Sequence, residues 1–174
     1  MIKSRHYRGV FALAIMLLTG CGLSQKVSKG TESAWDAVMY PHIDQLQLRL
    51  ISRAALNNDH RDIAFPIVVR VYQLKGRHAL DQASYRRLLN EDNQELAADL
   101  LVKQAFYLLP GRELDVDMPL HAEAQFIALV GLFQSPDLSQ NTWRLVLSRG
   151  ELKANAARII DLRENRLALR PWRQ

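Results

Sequence analysis

The chain has 174 residues, with 23 Lys plus Arg against 18 Asp plus Glu and a single cysteine. That length holds one sizeable core and hardly two independent ones. Three of the 23 basic residues (Lys3, Arg5, Arg8) precede residue 21, so the remainder carries 20 against 18, too small an excess for bulk nucleic-acid affinity.

Residues 1–20 have the layout of a bacterial export signal: a basic start, nine uninterrupted apolar residues at 10–18, and small residues before Cys21. A membrane-spanning helix takes about 20 apolar residues, more than twice this run. Leu18-Thr19-Gly20-Cys21 reads as a lipobox. Small residues admit a peptidase, and the Cys21 thiolate is the nucleophile that takes a diacylglycerol group. A further N-acyl chain completes the expected anchor, because one chain alone gives only marginal attachment. Gly22, where an aspartate favours inner-membrane retention, resembles the outer-membrane sorting class. The bland alternatives are an ordinary signal peptide with a chance cysteine, or a short buried helix. With Cys21 acylated, no thiol remains for a disulfide, a nucleophile or a metal site.

Residues 21–34 are polar, glycine-containing and aperiodic, and are expected to form a flexible tether. Residues 35–174 form the expected folded domain. Trp35, Val38 and Met39 suggest a short helix at 33–40 that Pro41 stops. Trp35 is either an interfacial anchor or an edge-packing indole.

Leu46, Leu48 and Leu50 alternate with polar residues and predict a half-buried strand. Residues 54–65 are a polar connection. Residues 67–74 are apolar on both faces except for Arg70 and Gln73, which suits a central strand. A helical insertion near 80–102 follows, with Asp81 as its cap, Tyr85, Leu88 and Leu89 on one face, and a last turn through Leu96–Leu101. Strand periodicity resumes at Lys103, and Pro110-Gly111 is a turn. Leu114, Val116, Met118 and Leu120 give the cleanest alternation in the chain. Residues 125–133 are apolar on both faces, Trp143 to Leu147 alternate, and residues 158–171 suggest a hairpin turning near Glu164-Asn165. About eight short strands with one helical insertion predict an all-β, two-layer antiparallel β-sandwich.

Nothing in this pattern points to chemistry. There is no Gly-x-Ser-x-Gly elbow, His-Glu-x-x-His pair or phosphate-cradling glycine loop, and His42, His60, His78 and His121 are scattered. Residues 57–62 gather donors and acceptors but lack a calcium loop's glycine pivot and distal glutamate. Asp115 and Asp117 on one strand face read as solubilising charge. Arg158, Arg163, Arg166, Arg170 and Arg173 make the C-terminal end basic, either as a solvated face or for an acidic partner or lipid headgroups. Phe106, Phe126, Phe133 and Trp143 are core by default, while Trp172 behind Pro171 is expected to protrude. No enzyme activity, cofactor, metal, nucleic acid or small-molecule substrate is expected beyond the covalent lipid on Cys21.

Asn57-Asn58-Asp59, Pro66-Ile-Val-Val-Arg-Val-Tyr-Gln-Leu74, Leu109-Pro110-Gly111, Phe126-Ile-Ala-Leu-Val-Gly-Leu-Phe133 and Trp143-Arg144 together resemble the TssJ (VasD) family, the outer-membrane lipoproteins of type VI secretion. The resemblance covers roughly residues 35–170 in order. It implies a transthyretin-like β-sandwich on the periplasmic face of the outer membrane. It also implies docking of the periplasmic C-terminal region of the inner-membrane protein TssM, beside other subunits of the secretion membrane complex. Partner contact would fall to the first inter-strand loop, here Asn57, Asn58, Asp59, His60, Arg61 and Asp62. Asn58 stands where the family often has proline, so a less rigid loop is expected. The rival expectations are a periplasmic small-ligand-binding or envelope-maintenance lipoprotein, and an anchored hydrolase. A ligand binder needs a concave apolar pocket with convergent polar groups, and a hydrolase needs clustered acid–base residues.

Overall fold

The computed structural model describes residues 43–172 apart from 59, 60 and 62. The export segment, Cys21, Gly22, the tether, the short helix expected at 33–40, Asp59, His60, Asp62 and Arg173 lie outside the described residues.

Among the described residues, eight strands make two four-stranded sheets. The first has the order β4-β1-β7-β8, from β4 (Glu113–Pro119), β1 (Gln45–Leu56), β7 (Arg158–Glu164) and β8 (Arg166–Leu169). The second has the order β3-β2-β5-β6, from β3 (Leu100–Leu108), β2 (Ile67–Leu74), β5 (Phe126–Gly131) and β6 (Arg144–Ser148). This is the transthyretin-like two-layer sandwich expected. Every strand pairing is antiparallel except β1 with β7, which run parallel in register Leu48↔Arg158 to Ser52↔Leu162. Alternation marks which face is buried, not which way a neighbour runs, so that pairing left no mark in the sequence.

The core forms where the two inner faces meet. Leu46, Leu48 and Leu50 of β1 are 0–1% exposed, opposite Val69, Val71, Ile127 and Leu129. Burying each such side chain contributes about 1.5–3 kcal/mol. Gln73 is the polar exception in this interior. Its Nε2 donates to the Pro119 carbonyl at 2.8 Å and its Oε1 accepts from the His121 backbone N–H at 2.7 Å. One amide therefore ties β2 to the end of β4 across the two layers, with both of its own polar atoms paired.

Two helices, α1 (His78–Gln82) and α2 (Tyr85–Glu95), cover the outer face of the second sheet. This is why β5 is apolar on both sides. Arg70 and Arg144 reach outward from the strands and donate to the Leu88 and Leu80 carbonyls at 2.7 and 2.6 Å. Tyr85 meets Trp143 edge-to-face at 5.1 Å and donates its hydroxyl to the Phe133 carbonyl. Burial pushes the Tyr85 phenol above its ordinary range. No helix among the described residues is long and apolar enough to cross a membrane.

Four local expectations need correction. Asp81 lies inside α1 and pairs with Arg77 at 2.7 Å instead of capping a helix. Leu100 and Leu101 open β3, because pairing with β2 outweighs the helical spacing of an isolated turn. Trp172 does not protrude. It is half-buried between Lys153 Nζ (4.4 Å from the ring centre) and Arg158 (4.3 Å), whose side chain is buried. Arg170 likewise forms a two-pronged pair with Asp161, at 2.6 and 3.1 Å. Arg158 and Arg170 are therefore structural cations and not part of a solvated basic face.

Candidate functional site

One end of the sandwich gathers the loop after β1, the β3–β4 turn, the loop between β5 and β6, and the β7–β8 turn. The opposite end carries Ile43, the β4–β5 loop and the approach to β7. Twelve residues of β1 separate the two ends, roughly 35 Å at strand rise.

The loop after β1 is fixed at both feet. Asn57 is 3% exposed and sits in the left-handed region, with φ of 50°. Asparagine tolerates that conformation better than most residues, through local hydrogen bonds. Its Nδ2 donates to the Pro66 carbonyl at 3.0 Å, and its Oδ1 accepts from the Gln134 backbone N–H at 2.7 Å. Its own backbone N–H donates to the Glu164 carbonyl at 2.6 Å, and the Phe65 N–H to the Leu56 carbonyl at 3.1 Å. One side chain thus joins the loop's start, its end and the β5–β6 loop. These bonds hold the loop's two feet without a proline at position 58.

Of the six residues marked out from sequence, the three that are described differ in kind. Asn57 spends its polar atoms inside the fold, Asn58 is half-buried with an unpaired Oδ1, and Arg61 is exposed. Ile63, not marked out from sequence, is 46% exposed on the same loop. Its signal was a β-branched apolar residue in an otherwise polar connection.

Three described carboxylates are held ionised by structural hydrogen bonds. The Ser148 backbone N–H and hydroxyl hold Glu151 below the usual carboxylate range, and Arg77 does the same for Asp81. Ser139 and Gln140 lower Asp137. A general acid at neutral pH requires the opposite shift. Asp115 pairs across the strand with Arg49 at 2.6 Å, in register. Among the described residues no group of three or more His, Cys, Asp and Glu is placed to hold a metal ion. An apolar groove of about 490 Å³ runs past Tyr85, Leu89, Leu138 and Trp143. Its two aromatic donors are already committed, the Tyr85 hydroxyl to Phe133 and the Trp143 indole to Asn141 Oδ1. Ser84, Arg86 and Asn141 are the other polar residues of its lining, and Ser84 Oγ accepts from the Arg87 backbone N–H at 3.4 Å.

The model of the type VI secretion lipoprotein family (VasD, EvfM, TssJ) matches residues 44–165. The chain belongs to this family. A chain in a solved structure described as a type VI membrane complex is 39% identical, with a TM-score of 0.72 over 75% of this chain and 100% of the other. A chain in a structure described as the T6SS protein TssM C-terminal domain (869–1107) from EAEC is 36% identical, with a TM-score of 0.69 and the same coverage. The T6SS lipoprotein TssJ1 from Pseudomonas aeruginosa is 25% identical, with a TM-score of 0.61 over 76% of this chain and 100% of its own. No functionally curated protein sequence matches. Membership places the chain among the TssJ-type lipoproteins of type VI secretion, whose general role is structural.

Proposed function

We propose that this TssJ-family chain tethers the type VI membrane complex to the outer membrane. Residues 1–20 direct export, acylated Cys21 with Gly22 behind it fixes the chain in the outer membrane's inner leaflet, and residues 21–34 give reach. The loop after β1 then docks the periplasmic C-terminal region of TssM through Asn58, Asp59, His60, Arg61 and Asp62, with Asn57 holding the loop in shape. Joining two anchored proteins through one surface raises the local concentration for assembly of the remaining subunits. No bond is broken.

The observation that carries this reading is the pair of pinned feet, at Asn57 and at Phe65–Pro66, that this loop has at the end of the sandwich farthest from Ile43. A loop with pinned feet presents donors, acceptors and both charge signs without disturbing the core. The test is co-purification from membranes. Replacing residues 58–62 by glycine and serine, or His60 and Arg61 by alanine, is expected to lose TssM while the domain stays folded. Undiminished TssM recovery would defeat the site.

A further inference from the structure

β3 ends beside the docking loop. Its last pairs, Leu108 with Ile67 and Tyr107 with Val68, begin one residue past the loop's second foot at Pro66. The Ser52 hydroxyl, on β1, donates to the Leu109 carbonyl at 2.6 Å. Tyr107 is 78% exposed and Leu109 55%. With Ile63 on the loop, they are three of the five large apolar side chains exposed among the described residues.

The backbone of β3 is open on the side away from β2. In β2 the Val68 and Leu74 carbonyls accept from Leu132 and Gln125, which flank β5. Even-numbered residues of β2 therefore turn their backbone groups to β5, while Ile67, Val69 and Val71 turn theirs to β3. Opposed residues of an antiparallel pair point toward each other or both away, so Leu108, Phe106 and Gln104 bond to β2. The backbone N–H and C=O groups of Ala105 and Tyr107 face outward. Both residues are exposed, and no other described strand pairs with them.

The other three edges are protected. β4 alternates Glu113, Asp115 and Asp117 and ends on Pro119. β8 has four residues and is followed by Arg170-Pro171. β6 meets β8 across the layers, where the Leu167 N–H donates to the Thr142 carbonyl at 2.8 Å. β3 runs nine residues with no proline and one charge, Lys103. A long edge of this kind is a template for an added strand.

A row of outward backbone donors and acceptors is complementary to an extended polypeptide. We propose that the β3 edge is a strand-addition site, where an extended, largely apolar segment of the protein held by the docking loop pairs with Ala105 and Tyr107 and packs on Tyr107 and Leu109. The other strand that could pair here is β3 of a second copy. A ladder along one edge falls short of the about 1,200–2,000 Å² that a stable interface buries, so β3 alone holds a second copy poorly. A partner already bound at the adjoining loop needs no such area, because its segment arrives at high effective concentration. The inference rests on the docking reading above and extends it to the main chain of β3.

The test uses the lipidated protein in detergent and the periplasmic C-terminal region of its own TssM. Amide hydrogen exchange over residues 100–108 of wild type is followed with and without TssM. The Ala105 and Tyr107 amides are expected to slow by about ten-fold or more in the complex. Ala105→Pro removes an outward N–H and no bond to β2, so it is expected to weaken binding about ten-fold, the loss of one interfacial hydrogen bond. The exchange measurement needs no variant and decides the case even if the proline unfolds the domain. Unchanged exchange at both amides overturns the edge, as does wild-type affinity in a folded Ala105→Pro. If replacing residues 58–62 still abolishes binding, the docking loop stands without it. Protection that appears without TssM and grows with protein concentration assigns the edge to a second copy and overturns the proposed occupant. If the loop replacement binds normally, the docking reading falls and the edge with it.

Discussion

Asn57 Oδ1 accepts a hydrogen bond from the Gln134 backbone N–H at 2.7 Å, across 77 positions of sequence. The contact ties the first foot of the loop after β1 to the β5–β6 loop. Asn57→Gly keeps the left-handed backbone but loses both side-chain bonds, and is expected to cost about 1–3 kcal/mol. Asn57→Ala adds the left-handed penalty, about 1–2 kcal/mol more. Denaturant unfolding of the three proteins separates the two terms, and equal stability of the glycine and alanine variants would contradict the backbone part.

Gly131 ends β5 where an added Cβ would lie 2.5 Å from the Phe133 ring, which is itself buried. Gly131→Ala is therefore expected to destabilise the fold by about 1–3 kcal/mol through overpacking. A Tm equal to wild type would mean that the ring moves aside freely.

Acid stability follows from Glu151, whose carboxylate accepts from the Ser148 backbone N–H at 2.7 Å and its hydroxyl at 2.8 Å. These bonds lower its pKa in the folded state. Their contribution is present above the unfolded carboxyl value, about 4.3, and is lost as pH falls through the folded one. The group is solvent-exposed, so the effect should stay below about 1 kcal/mol. Glu151→Gln should lower stability at pH 7 and flatten the acid limb between pH 5 and pH 3, measured as Tm against pH. An unchanged acid limb would contradict the assignment.

Cys21→Ser removes the proposed lipid acceptor, and fractionation should then find the protein in the soluble periplasm. Continued membrane attachment would contradict the anchor at Cys21.

Much of this architecture was legible in the sequence because burial imposes period two on β1 and β4 and removes polar residues from β5, which is covered on both faces. The parallel β1–β7 pairing was not, since side-chain periodicity carries no strand direction. The end of α2 escaped because Leu100 and Leu101 fit a helical spacing as well as a strand. At the site, the loop's position was readable from the turn formers at 57–62. The inward role of Asn57 was not, because its partners Pro66, Gln134 and Glu164 meet it only in the folded chain. The same holds for Arg158, a basic residue in sequence and a buried support for Trp172 in space.

The central claim is that the partner meets the loop end of the sandwich and not the end where Ile43 lies. Photo-crosslinking residues placed singly at Arg61 and at Lys153, between β6 and β7 at the opposite end, test it in intact cells. The account predicts a TssM adduct from position 61 and none from position 153. An adduct from position 153 with none from position 61 would contradict it.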